Sequence, residues 1–207
     1  MKKNNLLISS LIFLVLFALI AINLNTQFLI NLDNSMALFS ATHQTNFLQT
    51  SSLIINTLFE PTYIIILLTI ISIILWIYKK KTYSILLLLT SAAGGILIYL
   101  LKYAFARARP ISSLIVDSGF SFPSGHTLIS TILFGILIFL SLRIKSQLKK
   151  IVSIIICISG MAIVGLGRVY LNVHWFSDVI ASYCLGLFLV FGALCLYDFL
   201  KIKHINN

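Results

Sequence analysis

Long apolar runs separated by short polar segments dominate this sequence. An α-helix rises ~1.5 Å per residue and needs roughly 20 apolar residues to cross the hydrocarbon core of a bilayer. Six runs approach or reach this length, so the pattern predicts an all-α, polytopic membrane protein with six transmembrane helices in a bundle. The predicted spans are Leu6–Leu24, Pro61–Tyr78, Tyr83–Leu101, Thr127–Leu142, Ile151–Leu166 and Val179–Leu200.

The connecting segment Asn25–Glu60 mixes apolar and polar residues and contains no Lys or Arg. Its weak periodicity favours short interfacial helices in an outer loop. Leu6–Leu24 is longer than the apolar region of a signal peptide and no A-x-A site follows it, so we predict a retained first helix. Because no internal repeat divides the chain, we expect a single membrane-embedded domain over residues 1–207. The small residues 92–95 should form a face for close helix packing in the third span.

Composition agrees with this pattern: 59% of residues are hydrophobic, 10% are charged, and the mean hydropathy is +1.06. These values exclude a water-soluble protein. The net charge of +10 raises the question of a nucleic-acid partner. However, the basic residues cluster between apolar runs instead of forming a stripe interleaved with aromatics, so we expect no nucleic-acid partner and a lipid bilayer environment.

The distribution of basic residues predicts the orientation in the membrane. Short loops rich in Lys and Arg stay on the cytoplasmic side. Eleven of the fifteen basic residues fall in alternate loops and at the two ends of the chain, which predicts that both termini are cytoplasmic. The other four lie on the opposite, extracytoplasmic side, against the rule, and therefore need a separate explanation: Lys102, Arg107, Arg109 and Arg168.

Three polar motifs fall at the outer ends of the predicted helices, between positions 102 and 178. They have the forms K-x6-R-P, P-S-G-H and R-x5-H-x3-D. The predicted topology brings all three to the same face of the membrane. Their residues are Lys102, Arg109, Pro110, Pro123, Ser124, Gly125, His126, Arg168, His174 and Asp178.

The basic residues of these motifs suit an anion. Arg109 and Arg168 offer planar guanidinium forks that match phosphate oxygens, and Lys102 adds a compact charge. Ser124 and Gly125 precede an apolar helix whose first free N–H groups and positive dipole end favour an anion. Taken singly, each feature has an ordinary explanation, since a lysine at a helix end usually reaches toward lipid headgroups and Pro-Ser-Gly is a common helix cap.

The histidines suggest chemistry in addition to binding. His174 and Asp178 are four residues apart, so on a helix they share a face, and the carboxylate can accept a hydrogen bond from one imidazole nitrogen. The other nitrogen is then available as a nucleophile, and His126 is free to act as a general acid. The conjunction of these residues with the basic cluster favours a catalytic site over isolated packing histidines.

Several other residues are expected to have ordinary roles. Asp33 and Asp117 are expected to be solvated loop residues, and Arg107 to flank the pocket or to face headgroups. Tyr170 and Trp175 fall where interfacial aromatic residues are expected.

The three motifs, in this order and spacing, resemble the signature motifs of the type-2 phosphatidic acid phosphatase superfamily of membrane lipid phosphatases. The resemblance implies a metal-independent phosphatase without a cofactor. In that mechanism His174 attacks phosphorus, Asp178 orients the imidazole, and His126 protonates the leaving oxygen and later activates water to hydrolyse a phosphohistidine. The third motif of the family usually begins Ser-Arg, whereas this chain has Gly167 before Arg168. The implied phosphate-binding residues are Lys102, Arg109, Ser124, Gly125 and Arg168.

The location of the pocket at the outer helix ends favours a lipid phosphate as substrate, because the chains of the lipid can stay in the bilayer. Undecaprenyl pyrophosphate, phosphatidylglycerophosphate and phosphatidic acid are the candidates. The short chain resembles the bacterial polyprenyl pyrophosphate phosphatases, and this resemblance favours recycling of a bacterial cell-wall carrier lipid. A lipid phosphotransferase would use the same motifs. A non-catalytic lipid-phosphate binder or transporter would need the basic pocket but no nucleophile.

Overall fold

The computed structural model describes the backbone of residues 3–205 and the side chains of residues 4–60 and 62–198. Within that part of the chain the fold is all-helical, with eight helices in sequence. They are α1 (Lys3–Ile22), α2 (Gln27–Thr42), α3 (Asn46–Leu58), α4 (Pro61–Ile77), α5 (Lys81–Phe105), α6 (Gly125–Ser141), α7 (Gln147–Tyr170) and α8 (Phe176–Ile205).

The six apolar runs each form a helix, and the two additional helices, α2 and α3, lie in the segment Asn25–Glu60. Four helices are long and apolar enough to cross a membrane, namely α1, α5, α7 and the first part of α8. α3 and α4 together make a fifth candidate, bent by 66° at the break between them. α6 has 17 residues, which is short for a full span. The described residues thus contain four or five candidate spans, and the count of six remains a prediction.

Two helices extend further toward the polar end than their apolar runs indicated. α5 continues to Phe105 and ends where Ala106 adopts a left-handed conformation with φ 44°, so Lys102 lies in its last turn. α7 continues to Tyr170 and carries Arg168 in its last turn. A cation near a helix C-terminus interacts favourably with the negative end of the helix dipole. These extensions place both cations at the same end of the bundle as the start of α6.

Packing around α6 and α8 forms the centre of the molecule. Leu128, Ile132 and Ile136 of α6 are fully or almost fully buried. α1 packs along α8, where Phe13 and Phe191 stack with ring centroids 5.7 Å apart. The α4 helix packs chiefly on α5 and leaves most of its other surface exposed, as expected for a helix that faces lipid.

Candidate active site

The three motifs meet at one end of the bundle. α5 supplies Lys102, the first turn of α6 supplies His126, and the last turn of α7 supplies Arg168. The connection between α5 and α6, residues 106–124, carries Arg109, and the connection between α7 and α8 carries His174. The structure brings these segments to the same end of the bundle. The predicted site residues that line one cavity there are Lys102, Arg109, Gly125, His126 and His174, whereas Ser124 and Arg168 are buried and do not line it.

His174 is almost completely buried, with 2% of its surface exposed. Its Nε2 lies 3.3 Å from Nη1 of Arg109, and its Nδ1 lies 3.5 Å from Oδ2 of Asp178. If Arg109 donates to Nε2, the ring proton resides on Nδ1 and points toward Asp178. Nε2 then carries the lone pair that a nucleophile uses, and in this structure it faces Arg109. His174 also lines the cavity.

The relation of His174 to Asp178 differs from the expected helix face. α8 begins at Phe176, so His174 precedes the helix and only Asp178 lies in it. The Asp178 carboxylate accepts the backbone N–H of Trp175 at 3.0 Å, as acidic side chains do at helix N-termini. This contact folds the chain back so that the imidazole and the carboxylate approach each other from adjacent segments.

Arg107 has a larger role than the sequence indicated. Its Nη1 donates to Oδ1 of Asp178 at 2.5 Å, and its Nη2 donates to Oδ2 of Asp33 at 2.7 Å. Its guanidinium carbon lies 5.6 Å from the centre of the Trp175 ring. Trp175 Nε1 in turn donates to the carbonyl of Ala108 at 2.8 Å, so it ties the segment before α8 to the connection that carries Arg107. The only sequence signal for Arg107 was its position on the side of the membrane that basic residues avoid.

Asp33 is not the solvated loop residue that was expected. It lies on α2 with 2% of its surface exposed, and it accepts hydrogen bonds from both the backbone N–H and the hydroxyl of Ser177, at 2.8 and 2.6 Å. The Arg107 guanidinium therefore bridges two carboxylates, Asp33 and Asp178, beside His174.

Arg109 is bound from several directions. Its Nη1 donates to the carbonyl of Val173 at 2.6 Å, and its Nε donates to the carbonyl of Gly119 at 3.0 Å. Its Nη2 lies 3.1 Å from Oδ1 of Asp117. Burial lowers the pKa of Arg109 from its ordinary value, while Asp117 and Asp178 favour the charged form. The guanidinium is therefore fixed in direction beside Nε2 of His174.

Asp117 also departs from the expected solvated position, because it joins the two predicted phosphate-binding arginines. Its Oδ2 accepts a hydrogen bond from Nη2 of Arg168, and the Arg168 side chain is itself 2% exposed. Burial alone would raise the pKa of Asp117, but the charges of Arg168 and Arg109 outweigh it and lower the pKa below its ordinary value. Asp117 is thus an ionised carboxylate inside the pocket.

The residues of the motif at the start of α6 differ in their surroundings. Gly125 and His126 line the cavity, and Nε2 of His126 is buried without a hydrogen-bond partner among the residues described. Ser124 is fully buried, and its hydroxyl bonds to the hydroxyl of Thr127 at 2.9 Å while its N–H donates to Ser182 at 2.8 Å. The Ser124 side chain is therefore engaged within the protein in this structure.

Lys102 reaches the same cavity from α5, and its Nζ donates to the carbonyl of Phe120.

Burial, together with the neighbouring cations Arg168, Arg109 and Lys102, holds the pKa of His174 well below its ordinary value. The resting imidazole is therefore neutral, as a nucleophile must be.

The cavity has a volume of about 670 Å³ and extends from this polar end along the space between α4 and α5. Its apolar part includes Ile64 and Leu68 of α4 and Leu88 of α5.

The small-residue face of α5, residues 92–95, contains two glycines with different surroundings. A side chain at Gly94 would meet Leu128 and Ile132 at 2.8 Å, so this glycine permits close packing as expected, whereas Gly95 opens onto the cavity with nothing within 4 Å.

The chain is similar to several known proteins. Over 99 residues it is 34% identical to phosphatidylglycerophosphatase B of Bacillus subtilis. This match covers 46% of this chain and 49%, about half, of that protein. The crystal structure of a transmembrane PAP2 type phosphatidylglycerolphosphate phosphatase from Bacillus subtilis superposes with a TM-score of 0.83 at 27% identity, covering 92% of this chain and 96% of that one. Aquifex aeolicus LpxE shares the fold, with a TM-score of 0.64 at 21% identity over 77% of this chain and 93% of that one.

The model of the PAP2 superfamily matches residues 83–202, which is more than half of the chain and includes all three motifs. The matched region comprises α5 to α8, the helices that supply Lys102, His126, Arg168 and Asp178. The motifs, the all-helical fold and the family match agree, and this chain belongs to the PAP2 superfamily, the type-2 phosphatidic acid phosphatases.

Proposed function

We propose that this protein is a membrane phosphatase that removes phosphate from a lipid by way of a phosphohistidine at His174. The observation that carries the proposal is the position of His174, whose Nε2 is beside Arg109 at the point where a basic pocket joins an apolar groove. A headgroup phosphate would occupy the basic end while the chains extend between α4 and α5 toward the bilayer. A soluble phosphate ester would have no use for the apolar half of this cavity.

The first chemical step follows from the groups present. Nε2 of His174 forms a bond to phosphorus as the bond from phosphorus to the lipid oxygen breaks, and His126 gives its proton to that oxygen. A bound phosphate anion favours the protonated form of His126 that this step requires. Arg109, Arg168 and Lys102 stabilise the negative charge on the phosphoryl oxygens.

In the second step, water attacks phosphorus and the bond to Nε2 breaks. His126 now accepts a proton from the water, which restores its protonated state and releases inorganic phosphate. Asp178, oriented by Arg107, stabilises the positive ring of His174 throughout. These assignments need no metal, because the cations of the chain neutralise the phosphate.

Phosphatidylglycerophosphate is the first substrate to test, since the similar sequence and the similar crystal structure from Bacillus subtilis both bear that activity in their names. Undecaprenyl pyrophosphate and phosphatidic acid are the other candidates. We place the reaction at the extracytoplasmic face, with six transmembrane spans and both termini in the cytoplasm. The support is the distribution of basic residues, because a pocket that needs cations explains the four that violate the positive-inside rule.

The deciding experiment measures phosphate release from each of the three lipids by detergent-purified protein in excess EDTA. His174→Ala should lower the rate by at least ~10²-fold, as expected for the loss of a catalytic group. His43→Ala is the matched control, since His43 lies between α2 and α3 and contacts Phe39 and Thr42 instead of the pocket. Loss of activity in EDTA, or unchanged activity of His174→Ala, would refute the histidine mechanism. A phosphorylated acceptor in place of free phosphate would indicate a phosphotransferase, and binding without turnover would indicate a transporter.

A further inference from the structure

The Asp117 carboxylate lies where the phosphate group of a substrate is expected. One of its oxygens is 3.1 Å from Nη2 of Arg109, and the other accepts from Nη2 of Arg168. It lines the same cavity as His126 and His174. A carboxylate held between two guanidinium groups imitates two oxygens of a phosphate, because both anions accept from the same N–H donors.

The pocket also offers donors that Asp117 does not satisfy. Within the described part of the chain, Nε and Nη1 of Arg168 and Nε2 of His126 are buried and lack a hydrogen-bond partner. Buried polar atoms of this kind are costly unless a ligand or water meets them. A phosphate group has more acceptor oxygens than a carboxylate, so it could satisfy these atoms together with the two donors that Asp117 now uses.

A phosphate anion and the Asp117 carboxylate cannot share these donors without strong repulsion between like charges. The connection that carries Asp117 is anchored on either side of it. Leu114 N–H donates to the carbonyl of Leu171 at 3.0 Å, and Ser121 N–H donates to the carbonyl of Arg107 at 2.8 Å. Between these anchors Val116, before Asp117, is fully exposed, whereas the carbonyls of Ser118 and Gly119, after it, accept hydrogen bonds from Arg109. The stretch before Asp117 is therefore the less restrained one.

We propose that Asp117 is an internal counter-anion, which the substrate phosphate displaces from Arg109 and Arg168 and which returns when inorganic phosphate leaves. This inference rests on the proposed function, because it takes these arginines as the phosphate-binding groups. Asp117 is on this account a positioning residue that keeps the pocket from retaining its product. The return of the Asp117 carboxylate also explains how a site with three cations releases a multiply charged anion.

The test is the affinity for inorganic phosphate, measured both as inhibition of lipid hydrolysis and as the rise in unfolding temperature that phosphate produces. Asp117→Asn removes the competing charge, so phosphate should bind more tightly by on the order of 10-fold. Asp117→Glu keeps the charge and should bind phosphate like the wild type. Asp198→Asn is the matched control, since Asp198 lies near the C-terminal end of α8, far along the helix from the site, and should change nothing.

The alternative is that Asp117 only orients the two arginines. Asp117→Asn would then bind phosphate more weakly than the wild type, and unchanged affinity would equally overturn the proposal. Asp117→Ser provides a second variant. If neither Asp117→Asn nor Asp117→Ser folds, that result would also contradict the proposal, because a carboxylate that leaves its position in every catalytic cycle should not be required for folding.

The unfolding assay separates this inference from the proposed function, because it needs no turnover and works in a His174→Ala background. If phosphate stabilises the wild type but Asp117→Asn does not change its affinity for phosphate, the inference fails and the proposed function stands. If phosphate does not stabilise the wild type at all, the proposed phosphate site itself fails.

Discussion

At the scale of single residues, the polar site depends on one arginine, Arg107, whose side chain is 15% exposed. Arg107 compensates two carboxylates, Asp33 and Asp178, whose side chains are 2% and 0% exposed. Removing one partner of a buried ion pair leaves an unpaired charge and costs about 3–5 kcal/mol. The contribution of Arg107 to stability should therefore exceed that of any surface ion pair in the molecule.

We predict that Arg107→Gln lowers the free energy of unfolding by about 3 kcal/mol and also lowers the rate of phosphate release. The measurement is denaturant-induced unfolding in detergent combined with the phosphate assay. Arg143→Gln serves as control, because Arg143 lies over the ring of Tyr83 at the other end of the bundle. Replacing Asp33 by Asn together with Arg107→Gln should recover part of the lost stability, and no recovery would contradict the proposed charge compensation.

His174 makes the stability depend on pH. Burial, together with Arg168, Arg109 and Lys102, holds its pKa in the folded protein well below 6.5. The unfolded chain binds a proton at His174 as the pH falls through about 6.5, whereas the folded protein does not, so the unfolded state gains stability at acidic pH. The contribution of His174 to folding is fully present above this pH and is lost progressively below it.

The expected loss from this residue between pH 7.5 and pH 5.5 is about 1.4 kcal/mol. Unfolding measured at both values in the wild type and in His174→Gln should show a smaller pH dependence in the variant, which cannot titrate. An equal dependence in both proteins would mean that the pKa of His174 is the same in the folded and unfolded states.

At the scale of helices, α5 performs two tasks with adjacent glycines. Gly94 permits close contact with α6, and Gly95 leaves room in the groove between α4 and α5. If the groove receives the lipid chains, a side chain at position 95 should obstruct them without disturbing the polar site. Helix α5 would thus determine both the position of Lys102 and the room for the substrate chains.

We predict that Gly95→Leu lowers kcat/KM for a long-chain lipid phosphate on the order of 10-fold and has little effect on a short-chain soluble ester. Ala93→Leu is the matched control, because Ala93 is an exposed residue of the same helix that does not contact the cavity. The comparison of the two substrates in each variant is the measurement. Equal losses on both substrates would show that the groove does not hold the chains.

At the scale of the whole molecule, the orientation in the membrane is open to a direct test. The exposed residue Ile111 belongs to the connection that forms the site, and the exposed residue Lys145 belongs to the connection between α6 and α7. A single cysteine at position 111 should react with a membrane-impermeant maleimide in right-side-out vesicles, and a cysteine at position 145 should react only after lysis. The native residues Cys157, Cys184 and Cys195 are buried and should give little background. The reverse pattern would place the site in the cytoplasm.

The helices were predictable because each depends on a local property. Apolar runs close to the thickness of a bilayer have few alternatives to a helix, since every backbone polar group must be bonded within its own segment. The helix ends were less accurate. α5 and α7 continue past their apolar runs because Lys102 and Arg168 are favourable at a helix C-terminus and bond to polar groups of the connection between α5 and α6.

The sequence by itself determined the membrane helices and the candidate catalytic and phosphate-binding residues, because motifs with fixed spacing are visible without a structure. Only the tertiary structure decided the partners of those residues. Asp33 lies 144 positions from Ser177 in the chain, and Asp117 lies 51 positions from Arg168. Each of these acids resembles an ordinary loop residue in the sequence, and its role depends on which cation the packing of α2, α7 and α8 brings within hydrogen-bond distance. Such long-range electrostatic contacts follow from the arrangement of the helices in space, which local patterns do not encode.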